Sequence, residues 1–124
     1  MDFIGKVRQR IKTPLMLTGG FRTATLMAET IEEGALDFVG LGRPFCVFPH
    51  IAKELLNGKV KNCTVPDLLT GVEKIDQTGM LQTPWHQFQL VRMGQGKEPD
   101  PNMDVWYVYE KVTGRPRPEK EKQT

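Results

Sequence analysis

Two glycine-containing motifs are the part of this sequence best suited to chemistry. Residues 15–20 read Leu-Met-Leu-Thr-Gly-Gly, and residues 38–45 read Phe-Val-Gly-Leu-Gly-Arg-Pro-Phe. Paired glycines let the backbone adopt positive φ or approach a ligand closely, and the proline suits the first turn of a short helix. A helix start with free N–H groups, a glycine and an arginine favours a phosphate. The alternatives are a tight turn at the paired glycines and a surface salt bridge at the arginine. The candidate phosphate-binding residues are Gly19, Gly20, Gly42 and Arg43.

Two strands and an intervening helix must position these motifs. Residues 15–17 are apolar without alternation, as expected for a buried strand of a parallel sheet, and we predict the second strand at 37–41. Thr23 or Thr25 can cap the helix between them. The buried stripe of that helix is predicted at Leu26, Met27 and Ile31. Both motifs then lie at the carboxyl ends of their strands, where α/β proteins bind ligands.

The remaining segments are predicted to cover this unit. A helix precedes it at 2–12 and another follows at 49–56, whereas residues 59–78 show no clear periodicity. The next helix begins near Thr83 and is predicted to bury Leu81, Trp85, Phe88 and Val91. His86 lies beside that stripe and is expected at the surface. Residues 105–112 fit either a strand or a helix.

Composition and charge argue against several classes of function. The net charge is +2 and the cations are scattered, so neither a nucleic-acid partner nor a membrane surface is expected. No apolar run approaches the roughly 20 residues that span a bilayer, and the first residues do not resemble a secretory signal. Cys46 and Cys63 are too few for a disulfide framework, which predicts reduced thiols and a cytoplasmic protein. His50 and His86 have no partners at metal-ligand spacing, so no metal site is expected.

The two motifs also carry a resemblance to a known family. The runs 14–23 (Pro-Leu-Met-Leu-Thr-Gly-Gly-Phe-Arg-Thr) and 34–45 (Gly-Ala-Leu-Asp-Phe-Val-Gly-Leu-Gly-Arg-Pro-Phe) resemble the C-terminal part of the old yellow enzyme family. These are the FMN-dependent NAD(P)H:flavin oxidoreductases, and residues 85–100 match them more loosely. The family fold is a (β/α)₈ TIM barrel. The resemblance implies an α/β chain that supplies the last two βα units, strands seven and eight, and a C-terminal helical extension. The phosphate sites of such barrels lie after those strands.

The resemblance also implies a cofactor and its contacts. In the family, NADH or NADPH reduces the flavin, which then passes hydride to an activated alkene or similar acceptor. The FMN phosphate would be held at Gly19, Gly20, Gly42 and Arg43, and Phe21 would lie close to the flavin. The catalytic residues of the family belong to earlier strands, so none is assigned here. The chain by itself is therefore not expected to be active, and the resemblance leaves the electron acceptor open.

The resemblance, together with periodicity and composition, divides the sequence into three parts. By resemblance, residues 1–58 would hold strands seven and eight with their helices. Residues 59–113 would form an irregular connection and the C-terminal helix, and residues 114–124, which are rich in proline and charge, a disordered tail. A complete barrel needs about 250 residues. Three explanations are therefore considered: a fragment of a longer oxidoreductase, a chain that pairs with a separate chain or with itself, and a stand-alone module.

Two other functions are consistent with the sequence. TIM barrels also bind phosphorylated ligands other than flavins at the loops after strands seven and eight, so a phosphate site without flavin is one alternative. The other is an interaction module without activity, in which exposed aromatic residues form the partner surface. Its candidate residues are Trp85, Phe88, Trp106 and Tyr107.

Overall fold

The computed structural model describes residues 2–118, and this part of the chain contains seven helices and one two-stranded sheet. The elements in order are α1 (Asp2–Arg8), β1 (Met16–Thr18), α2 (Ala24–Glu32), β2 (Phe38–Gly40), α3 (Arg43–Val47), α4 (Ile51–Leu56), α5 (Glu73–Asp76), α6 (Gln82–Gly94) and α7 (Val105–Thr113). The chain divides after Val65 into two compact units, here called the N-terminal and C-terminal units. The predicted mixed α/β character is confirmed. The predicted disordered tail, 114–124, lies outside the described residues beyond position 118.

The sheet of the N-terminal unit has the predicted parallel arrangement. Met16 lies opposite Phe38, and Leu17 lies opposite Val39. Because side chains alternate between the two faces of a strand, each pair shares one face. Leu17 and Val39 are half-buried, whereas Met16 is 66% exposed and Phe38 is 58% exposed. One face of this sheet is therefore partly covered, and the other is apolar and bare. The prediction that residues 15–17 form a buried strand is wrong for this second face, because no described residues cover it.

Helix α2 begins at one of the two predicted caps. The Thr23 side-chain oxygen accepts a hydrogen bond from the Leu26 N–H (3.3 Å). The predicted buried stripe is wrong in part, because Ile31 is 39% exposed and Met27 only half-buried, whereas Thr30 is fully buried. The apolar side of α2 instead lines an open groove of about 670 Å³ with residues of β2 and α4. Periodicity identified the apolar face but could not show whether anything covers it.

Asp37 connects α1 to the start of both strands. Its carboxylate accepts the Leu15 N–H (2.8 Å) and forms an ion pair with Arg8. The hydrogen bond from Leu15 is the main cause that lowers the pKa of Asp37, and the Arg8 guanidinium adds to it. Helix α1 ends at Arg8, earlier than the predicted 2–12, and a turn follows.

The C-terminal unit is built on helices α6 and α7. Trp85 and Gln89 of α6 are fully buried. The Trp85 indole N–H donates to the Met103 carbonyl (3.0 Å). The Gln89 amide donates to the Asp100 carbonyl (2.8 Å) and accepts the Asp100 N–H (2.7 Å). One face of α6 therefore holds the loop that leads to α7.

Two predictions for α6 are wrong. Val91 is 56% exposed rather than buried, because the buried face is centred on Trp85 and Gln89. His86 is only 5% exposed rather than at the surface, and its Nδ1 lies 2.6 Å from the Gln82 carbonyl oxygen. Hydrophobic spacing could not identify a buried face that includes an amide and an imidazole.

Residues 105–113 form a helix, which decides between the two predicted alternatives. Asp104 caps it by accepting the Trp106 N–H (3.0 Å), and Gly114 ends it with a left-handed backbone. Trp106 is 7% exposed and Trp85 fully buried, so neither belongs to an exposed partner surface as the interaction-module alternative requires. Of the other two aromatic residues, Tyr107 is 46% exposed and packs edge-to-face on Phe88.

Candidate functional site

The loops that follow β1 and β2 line one cleft of about 200 Å³ in the N-terminal unit. Its walls are formed by residues 18–22 and 40–44. The structure thus brings together all five residues that the sequence suggested for cofactor binding, which are Gly19, Gly20, Phe21, Gly42 and Arg43. Their role in binding stays a prediction.

The positions of this cleft that are occupied by glycine require it for different structural reasons. Gly19 and Gly20 have φ values of +109° and +82°, which L-residues rarely adopt. A Cβ atom added at Gly19, Gly20 or Gly42 would meet no other atom of residues 2–118 within 4 Å, so the described part of the chain leaves the space beside these residues open. At Gly40, by contrast, an added Cβ would collide with the Thr18 side chain across the sheet. Gly40 therefore serves the close packing of the strands, and the other three leave room for a ligand.

The cleft also offers backbone donors. Within residues 2–118, the N–H groups of Gly20 and Gly42 donate no hydrogen bond to another protein group. Helix α3 starts at Arg43 with Pro44 in its first turn, as predicted, and the Phe45 N–H closes that turn on the Gly42 carbonyl (3.0 Å). Unpaired N–H groups around a concave backbone favour an anion.

Two arginines, Arg22 and Arg43, line the cleft, and the sequence predicted a role for only Arg43. Arg43 is exposed on α3, whereas Arg22 is half-buried and its Nη1 donates to the Phe21 carbonyl (2.9 Å). Arg22 directly follows the Gly-Gly-Phe run, and a cation at that position was the signal that could have identified it. Phe21 is only 4% exposed, so little of this residue is available to touch a ligand.

A short antiparallel pairing fixes the loop that follows β1. The Cys63 N–H donates to the Arg22 carbonyl (2.8 Å). Beside it, the Ala24 N–H donates to the Lys61 carbonyl (2.9 Å). The Cys63 thiol lies 3.6 Å from the Phe21 carbonyl oxygen. The segment 61–63, predicted as part of an irregular connection, therefore holds the backbone of the first glycine loop in place.

The described residues offer little for nucleophilic or metal chemistry. Burial raises the pKa of both thiols, Cys46 and Cys63, and the charge of Arg22 only partly opposes this at Cys63. Thiols of raised pKa are poor nucleophiles near neutral pH. In residues 2–118 no three His, Cys, Asp or Glu side chains are grouped so that they could hold a metal ion. In the same range no helix is long and apolar enough to cross a membrane.

Comparison with curated proteins finds fungal flavin oxidoreductases. An NADH-dependent flavin oxidoreductase of Talaromyces variabilis is 39% identical over 57 residues, which is 45% of this chain and 14% of the relative. One of Aspergillus parasiticus is 38% identical over 50 residues, 40% of this chain and 11% of the relative. One of a Neonectria species is 43% identical over 54 residues, 43% of this chain and 7% of the relative.

These similarities confirm the resemblance to flavin oxidoreductases that the two glycine motifs carry. The match covers no more than 14% of the length of these three relatives. No family model matches the sequence, and no solved structure matches it significantly.

Proposed function

We propose that this chain, which is similar to NADH-dependent flavin oxidoreductases, forms the FMN-binding part of such an enzyme. Its cleft would hold the FMN phosphate. The observation that carries this proposal is the meeting of two glycine loops at one cleft that contains unpaired N–H groups and two arginines. FMN, when bound, supplies the hydride-transfer chemistry, and the residues of this chain bind and orient it.

The residues present fit a phosphate group. The open space beside Gly20 and Gly42 lets the phosphate approach their N–H groups closely. The Arg43 guanidinium would add a charge-assisted hydrogen bond, which is typically stronger than one between neutral groups. Phe21 is largely buried, so its contact with the flavin would be small.

We further propose that additional strands of a (β/α)₈ barrel cover the bare face of the sheet. Met16 and Phe38 are both more than half exposed on that face, and each strand has an unpaired edge within the described part of the chain. Exposed strand edges and apolar surface favour association. The further strands would belong to a longer form of the chain, to a separate chain or to a second copy.

An FMN titration of the purified chain tests the proposal. Flavin fluorescence reports binding, and the mass of the oligomer is measured in the same samples. Arg43→Ala should weaken FMN binding by about 1.5–3 kcal/mol, the range for hydrogen bonds to charged groups. Arg10→Ala is the control, because Arg10 is exposed on the segment after α1 and does not line the cleft.

Three outcomes would contradict the proposal. FMN affinity that does not differ between wild type and Arg43→Ala would exclude Arg43 as a phosphate ligand. Binding of FMN no tighter than that of inorganic phosphate would indicate a phosphate site without flavin specificity. The absence of FMN binding by a folded chain would remove the proposed function from this chain altogether.

A further inference from the structure

Arg22 has the surroundings of an anion-binding side chain. Arg22 is half-buried, and its guanidinium uses one N–H for the Phe21 carbonyl. A guanidinium carries five N–H donors, so most of its hydrogen-bonding capacity is left over. Within residues 2–118 no carboxylate forms an ion pair with Arg22. A partly buried charge without a counter-charge is unfavourable, and an anion in the cleft would offset that cost.

The backbone of Arg22 is also fixed before any ligand arrives. Its carbonyl accepts the Cys63 N–H, and the Ala24 N–H two residues later is bound to the Lys61 carbonyl. A side chain on a fixed backbone loses less conformational entropy on binding than one on a mobile loop. Arg43 has a different position, because it is exposed at the first residue of α3.

We propose that Arg22 binds the anionic end of the ligand and makes the cleft selective for a doubly charged phosphate monoester. The inference rests on the proposed function, because the phosphate of FMN is such a group. Two arginines, one on each of the two loops that line the cleft, match two negative charges better than one or none. The cleft would therefore prefer FMN over a flavin with a singly charged cyclic phosphodiester, and would bind riboflavin, which has no phosphate, least well.

The experiment titrates the purified full chain with three flavins: FMN, cyclic riboflavin phosphate and riboflavin. The variants are Arg22→Gln, Arg22→Lys and the control Arg10→Gln, which removes the same charge outside the cleft. Arg22→Gln should weaken FMN binding about 10- to 150-fold, the factor that corresponds to one hydrogen bond to a charged group. It should leave riboflavin binding unchanged. Circular dichroism and thermal unfolding of each variant show whether it is folded.

The preference for FMN over the cyclic phosphate separates a ligand contact from a structural role. A merely structural Arg22 would change the affinity for all three flavins by the same factor. Arg22→Lys keeps the charge and should retain part of the preference, so it decides the question if Arg22→Gln does not fold. Arg10→Gln should behave as wild type.

Failure of this inference is distinguishable from failure of the proposed function. If the wild-type chain binds FMN no more tightly than riboflavin, the cleft does not hold phosphate, and both are overturned. If wild type prefers FMN and the folded Arg22 variants keep the full preference, only the role of Arg22 is overturned.

Discussion

Replacing Gly20 by alanine tests whether the backbone of the first glycine loop contacts the ligand. Gly20 has φ of +82°, and an added Cβ would meet no atom within 4 Å. The cost is therefore conformational and not steric, about 1–2 kcal/mol for an L-residue with left-handed backbone. In a unit of this size each kcal/mol lowers Tm by about 4–8 °C. We expect Gly20→Ala to be destabilised by this amount. It should also bind FMN at least about tenfold more weakly, because the added methyl group would occupy the open space through which the phosphate approaches the Gly20 N–H, and the charge-assisted hydrogen bond would be lost.

Gly58→Ala provides the matched control. Gly58 has φ of +74° and equally open surroundings, but it follows α4 and does not line the cleft. The two variants should lose similar free energy of unfolding. Denaturant titration measures that loss, and a fluorescence titration with FMN measures the affinity of each variant. Only Gly20→Ala should show weaker binding.

Two results would refute this reasoning. If Gly20→Ala binds FMN as tightly as wild type while it loses stability, the N–H of Gly20 is not a ligand contact. If Gly58→Ala loses FMN affinity as much as Gly20→Ala, the effect comes from general loosening of the N-terminal unit. In either case the Gly20 N–H would have no support as a phosphate ligand.

Acid and the loss of a buried amide give two further predictions. The pKa of Asp37 is lowered chiefly by the Leu15 N–H, so its ionised form stabilises the folded state above the unfolded-state pKa of about 3.9. That stability is lost as pH falls through the folded-state pKa. Denaturant unfolding between about pH 2 and 6 should therefore show a smaller loss of unfolding free energy with falling pH in Asp37→Asn than in wild type. Equal pH dependence of the unfolding free energy in the two proteins would contradict this prediction. Gln89→Leu should cost about 2–4 kcal/mol, because both backbone groups of Asp100 lose their partners. The exposed Gln87→Leu should cost little, and equal losses in the two variants would exclude the role of the amide.

The strand–loop–helix–strand unit was predictable because its signals are local. The paired glycines, the cap at Thr23 and the proline at position 44 each determine the backbone of their own neighbourhood. The parallel pairing of β1 with β2 then follows, since two consecutive strands joined by a helix usually lie side by side in parallel. Four residues of the candidate site, Gly19, Gly20, Gly42 and Arg43, came from the same local signals, and Phe21 came from the family resemblance.

The other features depend on partners that are distant in the sequence. The burial of Gln89 and His86 could not be predicted from the spacing of apolar residues, because polar residues are expected to be exposed. The pairing of Cys63 with the loop after β1 uses backbone groups, which leave no side-chain pattern in the sequence.

The pairing of residues 61–63 with the loop after β1 determines how much of the chain is needed to hold the cleft in place. The glycine motifs end at residue 45, but the first of them is held in place by the Cys63 N–H, and Cys63 is 42 residues from Phe21. Closing a loop of that length costs about 3 kcal/mol of chain entropy before any contact is gained. If the two motifs were transferred to another scaffold, their sequence would be kept but the first glycine loop would not be held in place. The transferred piece would also need residues 61–63, which pair with that loop.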